Sequence, residues 1–456
     1  MVSKILYHTK GDFIRRLIAI ALPITLQSIM FSSRSLVDVL MLGQLGEAEI
    51  AAVGVAARAT FVTTIMLVGV TTGGALLTAQ YWGAGDKKGV RQSTALTWLI
   101  STIFAALTAS LFILFPTQIM SLATDSQEVI ALGAEYLVIT SITMFAVACV
   151  ASMSVGLRAM HKPGVSTFFS GIGIVSNIFL NWVLIFGKFG VPAMGIKGAA
   201  IATVLSGAIE VLTLFSYLHL KKHLLAFGIG DIRYVMEWPR IVKFLKLSLP
   251  TTFNFFAWAG GLFAYHAILG HSGVQGLAAL SVMTPVESIS LALLIGMSNA
   301  AAVLVGNQIG AKNYEQVYYQ AIGVTILSVI VGIVVAAFLY MVQGLVLDSF
   351  TALTQETRAL AEKFMLVLSL GIVLRSVPMM TIVGVLRAGG DVKFCLYQDL
   401  VAQWMIGIPL AAFAAIGLGW PPEWIYLLFL TEEAIKWFGS LYRMKTRKWI
   451  RNLIEN

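Results

Sequence analysis

The feature that most restricts this chain is a near-continuous succession of apolar runs, each about twenty residues long and separated by short polar stretches. A run of that length reaches across the hydrocarbon of a bilayer, where no water bonds the backbone, so it must satisfy its own N–H and C=O groups as a helix. Twelve such spans are expected, near residues 17–42, 50–80, 92–115, 131–157, 165–187, 194–219, 241–270, 277–306, 317–342, 362–386, 394–417 and 423–442. The side chains agree, since 58% are hydrophobic and 12% charged, about half the charged share of a soluble domain. The fold class expected is an all-α membrane protein.

Lys4, Lys10, Arg15 and Arg16 precede the first run, as they would in a signal peptide. That run is too long for one and no small-residue cleavage site follows, so it is expected to remain in the mature chain. Cys149 and Cys395, the two cysteines, fall inside predicted spans and suggest neither a disulfide framework nor a thiolate metal site.

A formal net charge of +9 raises the question of nucleic acid, which the placement of the cations answers. Twenty-three of the 31 Lys and Arg lie at the two termini or in the even-numbered connections, for example Lys87, Lys88 and Arg91, Lys221 and Lys222, and Arg443 to Arg451. The odd-numbered connections hold Lys188, Lys197, Arg358 and Lys363. Positive charge marks the cytoplasmic side, so both termini are expected there, in a multi-pass membrane protein, and no nucleic-acid patch is needed.

The chain also repeats itself. Shifted by 227 residues, it superposes without a gap from "LPITLQSIM" at Leu22 on "LPTTFNFFA" at Leu249, pairing Pro23 with Pro250, Thr25 with Thr252, Gly69 with Gly296 and Gly83 with Gly310. A shift of 229 brings "GLRAM" at 156–160 onto "VLRAG" at 385–389. Six spans per copy is an even number, so the copies enter the membrane from one side as parallel repeats, two six-helix bundles around a central cleft. The expected organisation is an N-terminal lobe at 1–220, a cytoplasmic linker at 221–240 and a C-terminal lobe at 241–456. Alternating access by rocking of the lobes follows from that symmetry.

An ionisable group at membrane depth costs roughly 2.5–3.5 kcal/mol on insertion scales, so each one is a candidate for function. In "SSRSLVDVLMLGQLG", residues 32–46, Asp38 stands mid-span one turn after Arg34. Two readings are open. The pair can be a plain i,i+4 ion pair. Alternatively, burial favours the neutral acid while the nearby cation favours the carboxylate, and a group so balanced can exchange a proton or a metal cation. In the repeat register Tyr265 occupies the place of Asp38, and Glu287 stands opposite Thr60, so the halves carry their acids on different helices. Glu287 is a second candidate, or else an acid bonded to its own backbone or to Ser288 and Ser290.

Span 5, "GIGIVSNIFLNWVLIFG", places Asn177 and Asn181 four residues apart on one face, a neutral oxygen-rich surface suited to a weakly held cation or a proton network, or simply to helix association. Span 6 offers Thr203 among small residues. Pro23 interrupts the hydrogen-bond ladder of the helix that carries Asp38 and is a candidate hinge, although Pro250 repeats the device, which reads equally as plain architecture. His266, beside Tyr265, is a titratable candidate or a bonded core histidine. Arg375, Asp399 and Gln403 suggest an inter-helix pair, and Glu210, Glu432, Glu433 and Lys436 suggest pairs facing the protein interior.

No GxxxxGK[ST], HExxH or GxSxG motif occurs, so energy must come from an ion gradient or a downhill substrate. An intramembrane enzyme would need a clustered nucleophile and base or a metal set, which six scattered histidines do not supply. A flippase for an anionic lipid precursor would need a cavity with several cations, and Arg34, Arg58 and Arg375 are the arginines within spans.

Taken together, "LVDVLMLGQLG", "AAVGVA", "GAGD", "GLRAMHKP", "SNIFLNWVLIFG" and "GIKGAAIATVLS" resemble the prokaryotic multidrug and toxic compound extrusion (MATE) transporters over nearly the whole chain. The resemblance implies a monomeric antiporter of the inner membrane, not an enzyme, without a cofactor, that expels cationic or amphipathic drugs and toxic organic cations while H+ or Na+ flows inward. It also implies a cation or proton site at Asp38, Asn177, Asn181 and Thr203, with transient Na+ at the first three. Some members have an aspartate where this chain has Asn181, leaving Asp38 the sole acid of the cluster. Members with a C-lobe sodium site carry an acid in span 7, where this chain has His266 and none. Glu287 and Asp391 of "LRAGGD" are then secondary candidates, Asp391 being equally a helix-terminus or turn residue.

Overall fold

The computed structural model describes residues 2–42, 44–349 and 354–455, without the side chains of residues 32–36, 39, 47 and 277. Every regular element among the described residues is a helix. In chain order these are α1 (Val2–Thr9), α2 (Asp12–Leu42), α3 (Glu47–Gly83), α4 (Lys87–Leu114), α5 (Pro116–Ser121), α6 (Gln127–Ser141), α7 (Thr143–Ala159), α8 (Pro163–Phe186), α9 (Gly195–Leu220), α10 (Ile229–Val235) and α11 (Trp238–His271). Then come α12 (Val274–Gly310), α13 (Tyr314–Asp348), α14 (Gln355–Pro378), α15 (Val392–Asp399), α16 (Ile408–Ala412), α17 (Pro422–Leu428) and α18 (Thr431–Lys445).

Each expected span has its helix. Nine helices among the described residues are long and apolar enough to cross a membrane, and α6 with α7, bent by 43° at Ile142, makes a tenth if counted as one span. The remaining two positions are α11 and the α17–α18 pair, and both carry polar side chains buried in the protein, Asn254 on α11 and Glu432, Glu433 and Lys436 on α18. Several helices outrun the bilayer. At about 1.5 Å per residue the 37 residues of α3 extend roughly 55 Å, against a hydrocarbon core of about 30 Å.

Sequence alone did not foretell the short helices α1, α5 and α10, the breaks at Ile142 and Phe429–Leu430, or the π-helical stretches Met379–Arg387, Leu400–Gly407 and Phe413–Gly417. Proline accounts for part of this. Pro378 has no N–H for the carbonyl of Leu374, and the Trp437 indole donates to that oxygen instead, at 2.5 Å. Local winding loosens directly after it.

Leu26–Thr252 forms one compact unit, and Met1–Thr25 with Phe253–Asn456 forms the other. The division falls inside α2 and inside α11. In the second of these units Phe13, Leu17, Ile20 and Ile24 of α2 pack among Met297, Leu304 and Ile309 of α12. A Cβ on Gly296 would collide there with Thr25, and in the Leu26–Thr252 unit a Cβ on Gly69 would collide with the backbone of Thr252. The two crossings are repeat partners in the 227-residue register.

Within Leu26–Thr252, α8 and α9 form a tight hairpin. Gly187 ends α8 in the left-handed region, φ +67°, where an added Cβ would lie 2.6 Å from the Ala193 nitrogen. The Met194 N–H then donates to the Leu184 carbonyl at 2.9 Å. Gly198 lets the two backbones touch, since its Cβ would sit 2.5 Å from that same carbonyl oxygen. This close pairing brings the polar faces of α8 and α9 side by side.

Candidate functional site

Helix α8 buries Ser166, Ser170, Asn177 and Asn181 completely, at spacings of four, seven and four residues, which is one face of a helix. At its upper end Asn181 Nδ2 donates to Asp38 Oδ1 of α2 at 2.5 Å and, more weakly, to Asn177 Oδ1 at 3.4 Å. Asp38 is half-buried. Asn177 Nδ2 and Asn181 Oδ1 have no partner among the described residues, although an orphaned amide in a dry site is costly. One unused donor and one unused acceptor beside a carboxylate make a place for a small hydrogen-bonding or cationic species.

The structure thus brings together Asp38, Asn177 and Asn181. The Thr203 hydroxyl is engaged on its own helix, donating to the Ala199 carbonyl at 2.9 Å. The Arg34 side chain lies outside the described residues. Pro23 sits within the continuous helix α2, fifteen residues before Asp38.

A second buried polar cluster lies within Phe253–Asn456. Arg375 of α14 pairs closely with Glu287 of α12 and reaches Glu433 of α18 at 3.7 Å. Lys436 lies 3.5 Å from Asp399 and 3.6 Å from Glu432. The Tyr265 hydroxyl donates to Glu432 at 2.7 Å. Four acids thus face two cations in a largely water-excluded place. Among the described residues, no group of three or more His, Cys, Asp or Glu is arranged to hold a metal ion.

The secondary candidates find different partners from those the sequence offered. Ser288 and Ser290 donate to the carbonyls of Thr284 and Val286, at 3.0 and 2.7 Å, and Glu287 turns to Arg375. Asp399 takes Lys436, not Arg375. His266 Nδ1 meets the Leu262 carbonyl at 2.8 Å, the bonded-histidine arrangement. Asp391 is buried at the start of α15 and accepts from Arg443 Nε at 2.6 Å and Arg451 Nη2 at 2.8 Å, which ties down the C-terminal segment.

Sequence reasoning singled out Glu210 as an interior-facing acid but missed its partners at the lower end of the α8 stripe, where Ser170 donates to Glu210 Oε1 at 2.8 Å and accepts from Gln27 Nε2 at 3.0 Å. The signal was present: Ser170 is seven residues before Asn177, and Glu210 seven after Thr203, so each extends a face already singled out.

An internally repeated fold, helical throughout the described residues, with nine or ten apolar helices and acids buried among them, defines the class as a polytopic membrane protein, and the family match below makes it a transporter. The sequence profile of the MatE family matches residues 23–183 and 250–413, the two matches beginning 227 residues apart, and the chain belongs to that family. It is similar to a "Probable multidrug resistance protein NorM" of Rhizobium meliloti (strain 1021), 27% identical over 90% of this chain and 89% of that one. It is also similar to the "Uncharacterized transporter YisQ" of Bacillus subtilis (strain 168), 24% identical over 95% of each. Among solved structures, "Crystal structure of MATE in complex with MaL6" superposes with a TM-score of 0.87 at 17% identity, over 97% of this chain and 99% of that one. The "Outward-facing conformation of a multidrug resistance MATE family transporter of the MOP superfamily" gives 0.85 at 18% identity, over 97% and 98%. At these identities the structures speak for the fold, which is the two-repeat MATE architecture.

Proposed function

We propose that this chain exports cationic or amphipathic organic compounds in exchange for protons, by alternating access of its two lobes, with Asp38 as the coupling acid and both termini cytoplasmic. The observation that carries the proposal is the Asn181–Asp38 bond of 2.5 Å beside an unused buried acceptor, Asn181 Oδ1. An amide can serve both charge states of a carboxyl. With its NH2 towards Asp38 it donates to the carboxylate, and rotated by half a turn it accepts from the protonated acid. The Asn181 amide can therefore stay bonded to Asp38 in both charge states while the site loads and releases one proton.

Sodium is the weaker fit. A hard cation wants several oxygens, and beyond the Asp38 carboxylate this cluster offers one unengaged amide oxygen, Asn181 Oδ1, the Asn177 oxygen being already in use. Drug efflux draws support from the curated relative whose name is a probable multidrug resistance protein. Export of an anionic lipid precursor is disfavoured because Arg375 is neutralised by Glu287 and Glu433 and is not available to a phosphate. The test is ethidium transport in proteoliposomes. A pH gradient alone is expected to drive it and a sodium gradient alone is not; the reverse result would replace the proton with sodium.

A further inference from the structure

Below the Asp38 site, four helices of the Leu26–Thr252 unit are joined by a hydrogen-bond chain that the proposed coupling cycle does not use. Arg158 Nη2 of α7 donates to Gln27 Oε1 of α2 at 2.9 Å, Gln27 Nε2 donates to Ser170 Oγ of α8 at 3.0 Å, and the Ser170 hydroxyl donates to Glu210 Oε1 of α9 at 2.8 Å. Every link donates in the same direction, with a cation at the head and a carboxylate at the tail. Bonds aligned this way polarise one another, most effectively where the dielectric is low. The interior here is dry: Gln27, Ser170 and Glu210 are 4%, 0% and 6% exposed. Even the α8 backbone makes room for the carboxylate, since a Cβ on Gly173 would lie 2.5 Å from Glu210 Oε2.

The spacing ties this chain to Asp38. From Gln27 to Asp38 is eleven residues along α2, and from Ser170 to Asn181 is eleven along α8. Eleven residues are close to three full turns, so both members of each pair share a face. Gln27–Ser170 and Asp38–Asn181 are therefore two rungs between the same two helices, about 16 Å apart. Gln27 also stands one turn after Pro23, the point at which the backbone ladder of α2 is interrupted.

We propose that the lower rung, held between Arg158 and Glu210, fixes the rotation and register of α2 against α8, so that Gln27 is a positioning residue for Asp38. This rests on the reading of Asp38 as the coupling acid. If α2 rotates about its axis by one residue, the upper rung is lost together with the lower. Bending at Pro23 leaves both rungs in place, because both lie beyond it.

The experiment is a set of variants in the full-length chain, Gln27→Leu, Arg158→Gln, Glu210→Gln and the double Arg158→Gln/Glu210→Gln, with ΔpH-driven ethidium transport, ethidium Kd and unfolding temperature measured for each. Gln27→Leu is expected to lower the transport rate constant about tenfold while the ethidium Kd stays within about twofold, a split that general destabilisation would not produce. Arg158→Gln and Glu210→Gln are each expected to lose about tenfold, and the double variant to recover to within about threefold of the original chain, because removing both ends leaves no uncompensated buried charge. A double variant as impaired as the product of the singles, about a hundredfold, overturns the linkage, as does a Gln27→Leu variant that transports normally. Should a single variant fail to fold, recovery of folding in the double supports the linkage and its absence refutes it. Asp38→Asn in the same liposomes separates the two claims: normal ΔpH-driven transport there defeats the coupling assignment, whereas loss there beside normal transport in the Gln27 and Glu210 variants defeats only the positioning role.

Discussion

Replacing Arg375 by Gln should be among the most damaging single changes outside the proposed coupling site. Its guanidinium serves two acids at once, Glu287 in direct contact and Glu433 at 3.7 Å, with side chains of Arg375 and Glu433 that are 18% and 10% exposed. At 3.7 Å and an effective dielectric of about 20, one unit-charge pair is worth about 4–5 kcal/mol. The desolvation already incurred by the carboxylates remains when the cation goes, so the expected net loss is about 3–5 kcal/mol, the range for one abandoned partner of a buried pair. Equilibrium unfolding in mixed detergent with increasing SDS, followed by tryptophan fluorescence, measures it. Arg375→Lys keeps the charge and should recover much of the loss, and Arg375→Gln combined with Glu433→Gln should be less damaging than Arg375→Gln alone. A deficit under about 1 kcal/mol, or one that is the same for Lys and Gln, would show that the cluster is solvated and that its charges are not mutually dependent.

Three smaller tests address separate features. Asp391→Asn weakens two charged hydrogen bonds, from Arg443 and Arg451, and should release the C-terminal segment for proteolysis while leaving ethidium binding unchanged. Gly198→Val places a side chain against the Leu184 carbonyl and forces α8 from α9; transport should fall by an order of magnitude or more, whereas Gly54→Val, at a position with nothing within 4 Å, should be tolerated. Burial, with Lys162 nearby, holds His223 below its ordinary value of 6.5, so the folded chain binds fewer protons there than the unfolded one. That contribution is fully present above about pH 6.5 and is lost as the pH falls through the depressed value, so His223→Gln should flatten the acid side of a stability–pH curve.

What was legible in the sequence follows from the physics of each feature. The spans and the repeat were readable because crossing a bilayer imposes a length and a composition on every segment, and a duplicated chain keeps its Pro, Gly and Thr punctuation in register. Asp38, Asn177 and Asn181 were readable because i,i+4 spacing is a local property and the acid is conspicuous among apolar neighbours. The second cluster was glimpsed residue by residue but not as a network, since its partners are far apart in the chain: Tyr265 and Glu432 are separated by 167 residues, and Arg375 and Glu287 by 88. Periodicity reports which face a side chain occupies and says nothing of which helix lies opposite. Gln27 escaped for a related reason, since a lone neutral amide in an apolar run signals nothing until Ser170 and Arg158 are found on either side of it.

Proton release on drug binding tests the central claim most directly. Purified chain in weakly buffered detergent solution, titrated with ethidium near neutral pH, should release protons, and Asp38→Asn should bind ethidium while releasing none. An Asp38→Asn variant that gives up as many protons per bound ethidium as the original chain would show that the coupling proton resides elsewhere, and the account of this transporter would be wrong at its root.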